Sequence, residues 1–179
     1  MKNGKIILAG FGGQGILFAG KVIAYAGLKA EREVSWLPSY GPEMRGGTAN
    51  CSVVVSDEPV GSPVIPNPDI LIAMNRPSLD KFENLVEEKG YIVYDSSLID
   101  REVERKDVNV FPIPATQLAR EAGLDSLANM VVVGQMLKAT GLYTLDEITK
   151  GLEKSVPPSK AALLEKNVQA IKLGYEYEA

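Results

Sequence analysis

Short apolar runs and helical stripes alternate along the first two thirds of the chain. Lys5-Ile6-Ile7-Leu8-Ala9 is an apolar run that ends in glycines, the pattern of a buried parallel strand. Ile16, Gly20, Ile23 and Gly27 then recur at helical spacing, and Ala19, Ala24 and Ala26 make this helix thin enough to lie close to a sheet. Glu33-Val34-Ser35-Trp36-Leu37 reads as the next strand. Strand, glycine turn, helix, strand is a βαβ opening with a right-handed crossover. Pro38 to Ala49 is polar and glycine-rich and is expected to be a loop. Asn50 to Ser56 is a strand centred on Val53-Val54-Val55. No helix separates it from its predecessor, so an antiparallel pairing and a mixed sheet are expected.

Asp57 to Asn67 holds three prolines and Gly61 and reads as a loop. Asp69 to Met74 and Gly90 to Tyr94 are strands, with a helix over Ser78 to Glu88 between them, and Val108 to Ile113 is the last strand. The remainder is helical. Pro114 to Gly123 is a short helix. Ser126 to Ala139 places Leu127, Met130, Val131, Gly134 and Leu137 on one stripe. Thr144-Leu145-Asp146-Glu147 is a capping box that starts a helix at Thr144. Pro157-Pro158 breaks the chain, and Ala161, Leu164, Val168 and Ile171 stripe the last helix. Tyr175 to Ala179 reads as a tail, frayed or docked on a partner. Together these elements predict one α/β domain over residues 1–179. It is a three-layer, Rossmann-like fold with a mostly parallel, mixed sheet and a helical C-terminal third.

Composition narrows the chemistry. The 179 residues are 45% hydrophobic and 23% charged, as in an ordinary globular domain. There are 19 basic and 23 acidic residues, a net charge of −4, which argues against a nucleic-acid partner. No stretch approaches the ~20 apolar residues of a membrane span. Lys2 and Lys5 precede an apolar run, but its glycines break up a signal-peptide core, and a cytoplasmic location is expected. The chain has no histidine, which excludes a Ser/His/Asp triad, a Cys/His pair and a His-ligated metal. Its one cysteine, Cys51, cannot hold an iron–sulfur cluster, which needs about four thiolates. Cys51 reads as a small buried hydrophobe.

Two segments carry candidate chemistry. Gly10-Phe11-Gly12-Gly13-Gln14-Gly15 contains G-x-G-x-x-G between a strand and a helix. Glycines there permit close backbone approach, and the helix N-terminus offers free N–H groups to an anion. Three readings stay open: a tight structural turn, a phosphate or other polar ligand, and NAD. Against NAD, the second strand ends at Leu37-Pro38-Ser39 without the acid that would hold a ribose. The overlapping Gly15–Val22 stretch mimics a phosphate-loop motif, but Val22 replaces its Mg²⁺-binding hydroxyl and the intervening residues are helix formers.

The second segment is Ser39 to Cys51. Three glycines and Pro42 fix its path, and Tyr40, Glu43, Arg45, Thr48 and Asn50 supply polar ends. Both segments follow strand ends, so they could face one another across the crevice of an open α/β sheet. Arg45 would suit a carboxylate or phosphate; the alternative is a surface loop with a weak Glu43–Arg45 pair. Asn75-Arg76-Pro77-Ser78 either lines the same crevice or caps a helix. Asn129 reads as a buried hydrogen-bonding residue.

Gly10–Gly15, the Ser39–Cys51 run, Gly61-Ser62-Pro63 and Asn129 together resemble the gamma subunit of 2-oxoacid:ferredoxin oxidoreductases. The similarity runs from about Lys5 to Leu173 and is nearest the 2-oxoglutarate branch, with the pyruvate, branched-chain and indolepyruvate branches as alternatives. The resemblance implies an enzyme in which thiamine diphosphate with Mg and iron–sulfur clusters sit on partner subunits. Those partners are alpha and beta chains, with a delta chain as a further candidate. Coenzyme A takes the acyl group and ferredoxin the electrons. This chain would hold no metal and no catalytic residue, and it has no Gly-Asp-Gly thiamine signature. The residues expected to bind cofactor or co-substrate are Gly10, Gly12, Gly13, Gln14, Gly15, Ser39, Tyr40, Glu43, Arg45, Gly46, Gly47, Thr48, Asn75 and Asn129. The rival readings are a free-standing NAD(P) enzyme and a purely structural adaptor.

Overall fold

The computed structural model describes residues 1–39 and 48–178. Its six strands are β1 (Gly4–Phe11), β2 (Glu33–Ser39), β3 (Thr48–Ser56), β4 (Ile70–Ala73), β5 (Tyr91–Asp95) and β6 (Asn109–Ile113). The helices are α1 (Ile16–Lys29), α2 (Arg76–Phe82), α3 (Ala115–Glu121), α4 (Ala128–Thr140), α5 (Leu145–Ser155) and α6 (Ala161–Glu176). The strand order is β2-β3-β1-β4-β5-β6. Pairs β1–β4, β4–β5 and β5–β6 are parallel, while β3 runs antiparallel to both β1 and β2. The mostly parallel, mixed sheet is therefore observed.

The βαβ opening is altered in one respect. β3 intervenes between β1 and β2, because a hairpin returns the chain before β2 can join β1. The end of β2 thus lies two strands away, about 9.5 Å by ordinary strand spacing. The expected Pro38–Ala49 loop is also shorter than the sequence suggests. Pro38 pairs with Cys51, Ser39 with Asn50, Ala49 with Gly10 and Thr48 with Phe11. Pro38 is tolerated because β2 is an edge strand.

Alternation along β1 divides the core. Ile6 and Leu8 join a large cluster with α1, α3, α4, α5 and α6, whereas Ile7 and Ala9 join a smaller one with α2. Helix α1 lies close on the sheet, as the small residues predict: a Cβ on Gly20 would meet Cys51 Sγ at 2.4 Å, and one on Gly27 would meet Val34 at 2.6 Å. Helices α4 and α6 cross at backbone contact, with a Cβ on Gly174 reaching 1.8 Å from Val131 O.

Three boundaries differ from expectation. The predicted Ser78–Glu88 helix is Arg76–Phe82 followed by a 3₁₀ turn, Glu83–Leu85. In α6 the buried residues are Asn167, Ala170, Ile171 and Gly174, and Ala161 is exposed because the helix has only begun there. Tyr175 and Glu176 are helical rather than frayed. The Tyr177 carbonyl accepts from Lys138 Nζ at 2.7 Å, so this segment docks on the chain's own α4.

Candidate functional site

The first glycine of the motif is the penultimate residue of β1, and the others form the turn into α1. A Cβ on Gly10 would lie 2.6 Å from Gln14 Oε1 and 2.9 Å from Met74 Cβ. Gly13 and Gly15 sit at φ +91° and +72°, a region that glycine alone enters freely. Gly15 is the N-cap of α1, and among the described residues no side-chain cap bond is made there. The leading N–H groups of such a turn have no partner within the helix.

Gln14 is occupied internally. Its Oε1 accepts from Phe11 N at 2.6 Å and its Nε2 donates to Met74 O at 3.0 Å. The side chain therefore bridges the carboxyl ends of β1 and β4. This is the topological switch point, since α1 packs on one face of the sheet and α2 on the other. A dinucleotide would cross the sheet here, and the Gln14 amide fills part of that space. With β2 displaced by β3, the sheet offers no neighbouring strand end for a ribose-binding acid. Both facts weigh against the NAD reading.

The open space lies on the β3 side. A cavity of about 280 Å³ is lined by Phe11, Gly12, Gly13, Gly15, Ile16, Leu17, Phe18 and Ala49. Phe11 is 43% exposed on the wall of this cavity. Sequence reasoning assigned Phe11, Leu17 and Phe18 no role. One signal was available: α1 carries apolar residues on its outward face as well as on its buried stripe.

The remaining predicted residues divide. Thr48 pairs with Phe11 at the end of the β1–β3 ladder, and Ser39 pairs with Asn50 at the end of the β2–β3 ladder, so the backbone brings the start of β3 to the glycine turn and leaves Ser39 one strand further out. Tyr40, Glu43, Arg45, Gly46 and Gly47 lie outside the described residues. Asn75 follows β4 as the N-cap of α2. Its Oδ1 accepts from Ser78 N at 2.9 Å, so the capping reading is borne out. Asn129, 5% exposed, donates from Nδ2 to Gly15 O at 3.0 Å and ties α4 to the start of α1.

Among the described residues, Asn75 Nδ2, Ser78 Oγ and Asn129 Oδ1 on these segments are buried without a hydrogen-bond partner. An unpaired buried group costs about 1–3 kcal/mol. Two further orphans, Gln135 Oε1 and Asn167 Oδ1, belong to α4 and α6 away from this turn.

Cys51 packs beneath α1. Its Sγ lies 3.6 Å from Ile16 O. Burial pushes the thiol up to about 12, partly offset by the Trp36 N–H. It is a packed hydrophobe and not a nucleophile. Among the described residues no group of His, Cys, Asp and Glu could hold a metal, and no helix is long and apolar enough to cross a membrane.

Residues 5–177 match the model of the pyruvate ferredoxin/flavodoxin oxidoreductase family. The chain belongs to that family. It is 40% identical, over 97% of its length, to ketoisovalerate oxidoreductase subunit VorA of Methanothermobacter thermautotrophicus, but spans only 36% of that protein. It is 36% identical to the 2-oxoglutarate synthase subunit KorC of Methanocaldococcus jannaschii, covering 96% of this chain and 92% of that one. Among solved structures it resembles the gamma subunit of a keto/oxoacid ferredoxin oxidoreductase from Geobacter sulfurreducens PCA. The TM-score is 0.82 with 28% identity and 96% of each chain covered. It also resembles the 2-oxoglutarate:ferredoxin oxidoreductase of Magnetococcus marinus, described with 2-oxoglutarate, coenzyme A and succinyl-CoA bound. There the TM-score is 0.85 with 25% identity, covering 99% of this chain and 32% of that one. The chain thus spans about a third of the ketoisovalerate oxidoreductase subunit and of the Magnetococcus chain, and nearly all of the 2-oxoglutarate synthase subunit.

Proposed function

We propose that this chain is the gamma subunit of a 2-oxoacid:ferredoxin oxidoreductase, and that its glycine turn receives coenzyme A. The observation that carries this reading is the uncapped N-terminus of α1, which opens on a cavity beside the β3 start. Free backbone N–H groups and the helix dipole favour an anion there, and a coenzyme A pyrophosphate is such an anion. Phe11 and Phe18 supply apolar walls beside it. The entry to β3 lies beside the same turn. From the sequence motif, Arg45 is assigned as an anion contact, with Tyr40, Glu43, Gly46 and Gly47 as further cosubstrate-binding residues. Asn75 and Asn129 line the edge of the turn with unpaired polar atoms.

The redox chemistry belongs to companion alpha and beta subunits, with delta as a further candidate. A single cysteine does not fit an iron–sulfur cluster. Thiamine diphosphate, Mg and the clusters therefore reside on those companions and ferredoxin meets the complex there. When bound, those groups supply decarboxylation and single-electron transfer, while this chain positions the acyl acceptor. The favoured substrate is 2-oxoglutarate, since the stand-alone 2-oxoglutarate synthase subunit matches this chain nearly end to end. The 40% identity to a ketoisovalerate oxidoreductase subunit favours a branched-chain 2-oxo acid as the second reading.

The test is reconstitution from separately purified subunits. Coenzyme A-dependent reduction of ferredoxin by a 2-oxo acid is expected only when this chain is present. Arg45→Ala is expected to raise KM for coenzyme A. Full turnover without this chain, or turnover of an oxo acid by this chain alone, would overturn the proposal.

A further inference from the structure

The face of the sheet opposite α1 is covered over only half its width. Ile7, Ala9, Leu71 and Ile92 lie beneath α2 in the smaller core. In β2 and β3 the side chains alternate, and Trp36, Val53 and Val55 take the side of α1. Ser35 and Leu37, paired with Val54 and Ser52, therefore point the other way. Among the described residues no helix packs on this half. Leu37 is 41% exposed, and Ser35, Ser52 and Val54 are half-buried.

The segment 57–66 borders this half and holds an apolar group outward. Pro59, Pro63 and Pro66 limit its backbone. Ser56 Oγ accepts from Glu58 N at 3.0 Å, and Ser62 Oγ accepts from Val64 N at 3.1 Å. Ile65 is anchored in the smaller core, while its neighbour Val64 is 65% exposed. A groove of about 310 Å³ runs between this segment and the strands, lined by Val54, Val60, Val64, Pro66 and Lys5 among others. Gly61-Ser62-Pro63, which the coenzyme A reading leaves unused, lies at the centre of the segment. A segment already ordered in this way loses little entropy when it docks.

Two observations bear on what covers this face. The stretch that matches this chain is 36% of the ketoisovalerate oxidoreductase subunit and 32% of the Magnetococcus chain, but 92% of the 2-oxoglutarate synthase subunit. In the longer proteins a large remainder is tethered to this domain at high effective concentration, and the domain's helices already occupy the opposite side of the sheet. The second observation is size. Two strands paired over seven residues span about 10 by 23 Å, roughly 230 Å². Even doubled by the segment 57–66, that falls short of the ~800 Å² per partner of a stable interface. Two copies meeting through this face alone would not hold, whereas a larger body extending past the β2 edge would. We infer that the bare β2–β3 face and the segment 57–66 seat the companion subunit that corresponds to the remainder of those longer chains, through an apolar patch that takes Val64 and Leu37. The inference rests on the reading of this chain as one subunit of a multisubunit oxidoreductase, and it assigns a surface that the reading leaves open.

The test uses the full chain and the separately purified companion. Val64→Asp and Leu37→Asp change exposed positions, so circular dichroism should match the wild type. In calorimetric titration each should weaken association with the companion at least about a hundredfold, because a charge would be buried unpaired. Leu163→Asp, at a comparably exposed apolar position on α6, should leave affinity unchanged. In the wild type, the companion should slow amide exchange over residues 57–66 and not over residues 161–166. Wild-type affinity in both face variants, loss confined to Leu163→Asp, or unaltered exchange over residues 57–66 would overturn the inference and leave the subunit reading intact. So would self-association of the purified chain that Val64→Asp abolishes while companion binding persists. A wild-type chain that binds no companion would overturn both.

Discussion

Two helix starts in this chain are built in opposite ways. α5 opens on a closed capping box: Thr144 Oγ1 accepts from Glu147 N at 3.2 Å, and Glu147 Oε2 accepts from Thr144 N at 2.8 Å. The Thr144 and Glu147 N–H groups are satisfied by each other's side chains, and Asp146 and Glu147 complement the dipole. α1 opens on a left-handed glycine with, among the described residues, no side-chain cap and no acid in its first turn. One end is finished by its own sequence, whereas the other leaves donors and positive potential facing a cavity. The contrast separates a helix start that serves stability from one that serves a ligand.

The largest expected effect concerns the thiol beneath α1. A cysteine near a helix N-terminus is usually acidified, but Cys51 Sγ faces the Ile16 carbonyl rather than the free amides. With its pKa pushed to about 12, native Cys51 should react with a thiol reagent at pH 8 more than about a hundredfold slower than in the unfolded chain. Because the folded value lies above the unfolded one, this group's stabilising contribution is whole below pH 9. It falls by about 1.4 kcal/mol per pH unit as pH rises toward 12. Denaturation midpoints of the wild type and Cys51→Ala across that window check the sign. Rapid native modification would place the thiol in the site after all.

Next in size is Gly15→Ala. Its φ of +72° is strained for alanine, and the new Cβ would stand 2.4 Å from Asn129 Nδ2. A loss of about 3 kcal/mol in urea unfolding is expected, with coenzyme A-dependent activity falling too. Thr144→Ala should cost about 1 kcal/mol and leave KM for coenzyme A unchanged, because that end faces no ligand. The smallest effect on stability is expected for Asn129→Ala. The lost bond to Gly15 O is offset by removal of the unpartnered Oδ1, and Ala19 N still serves that carbonyl. Stability should change by less than about 0.5 kcal/mol, while KM for coenzyme A rises severalfold.

The same contrast marks what could be read from residues alone. The α5 start was fully legible, because a capping box is local and its four residues name their own geometry. The strands of the parallel half were legible from apolar runs, and the glycine turn from its motif. Strand neighbours were not: the insertion of β3 between β1 and β2 depends on a hairpin whose pairing swallows Pro38, Ser39, Thr48 and Ala49, residues that read as loop. Gln14 was legible as a site residue, but its engagement with Met74 O depends on a strand sixty residues away. Leu17 and Phe18 were assigned no role, because hydrophobicity does not say which side of a helix is covered, and Phe11 was read only as a member of the glycine motif.

The central claim is that the α1 N-terminus is an anion site and the α5 N-terminus is not. Hydrogen exchange on the assembled complex, with and without saturating coenzyme A, tests it directly. The account predicts slowed exchange over residues 12–18 and no change over residues 144–148. Unaltered exchange over residues 12–18, at a coenzyme A concentration that sustains turnover, would contradict it.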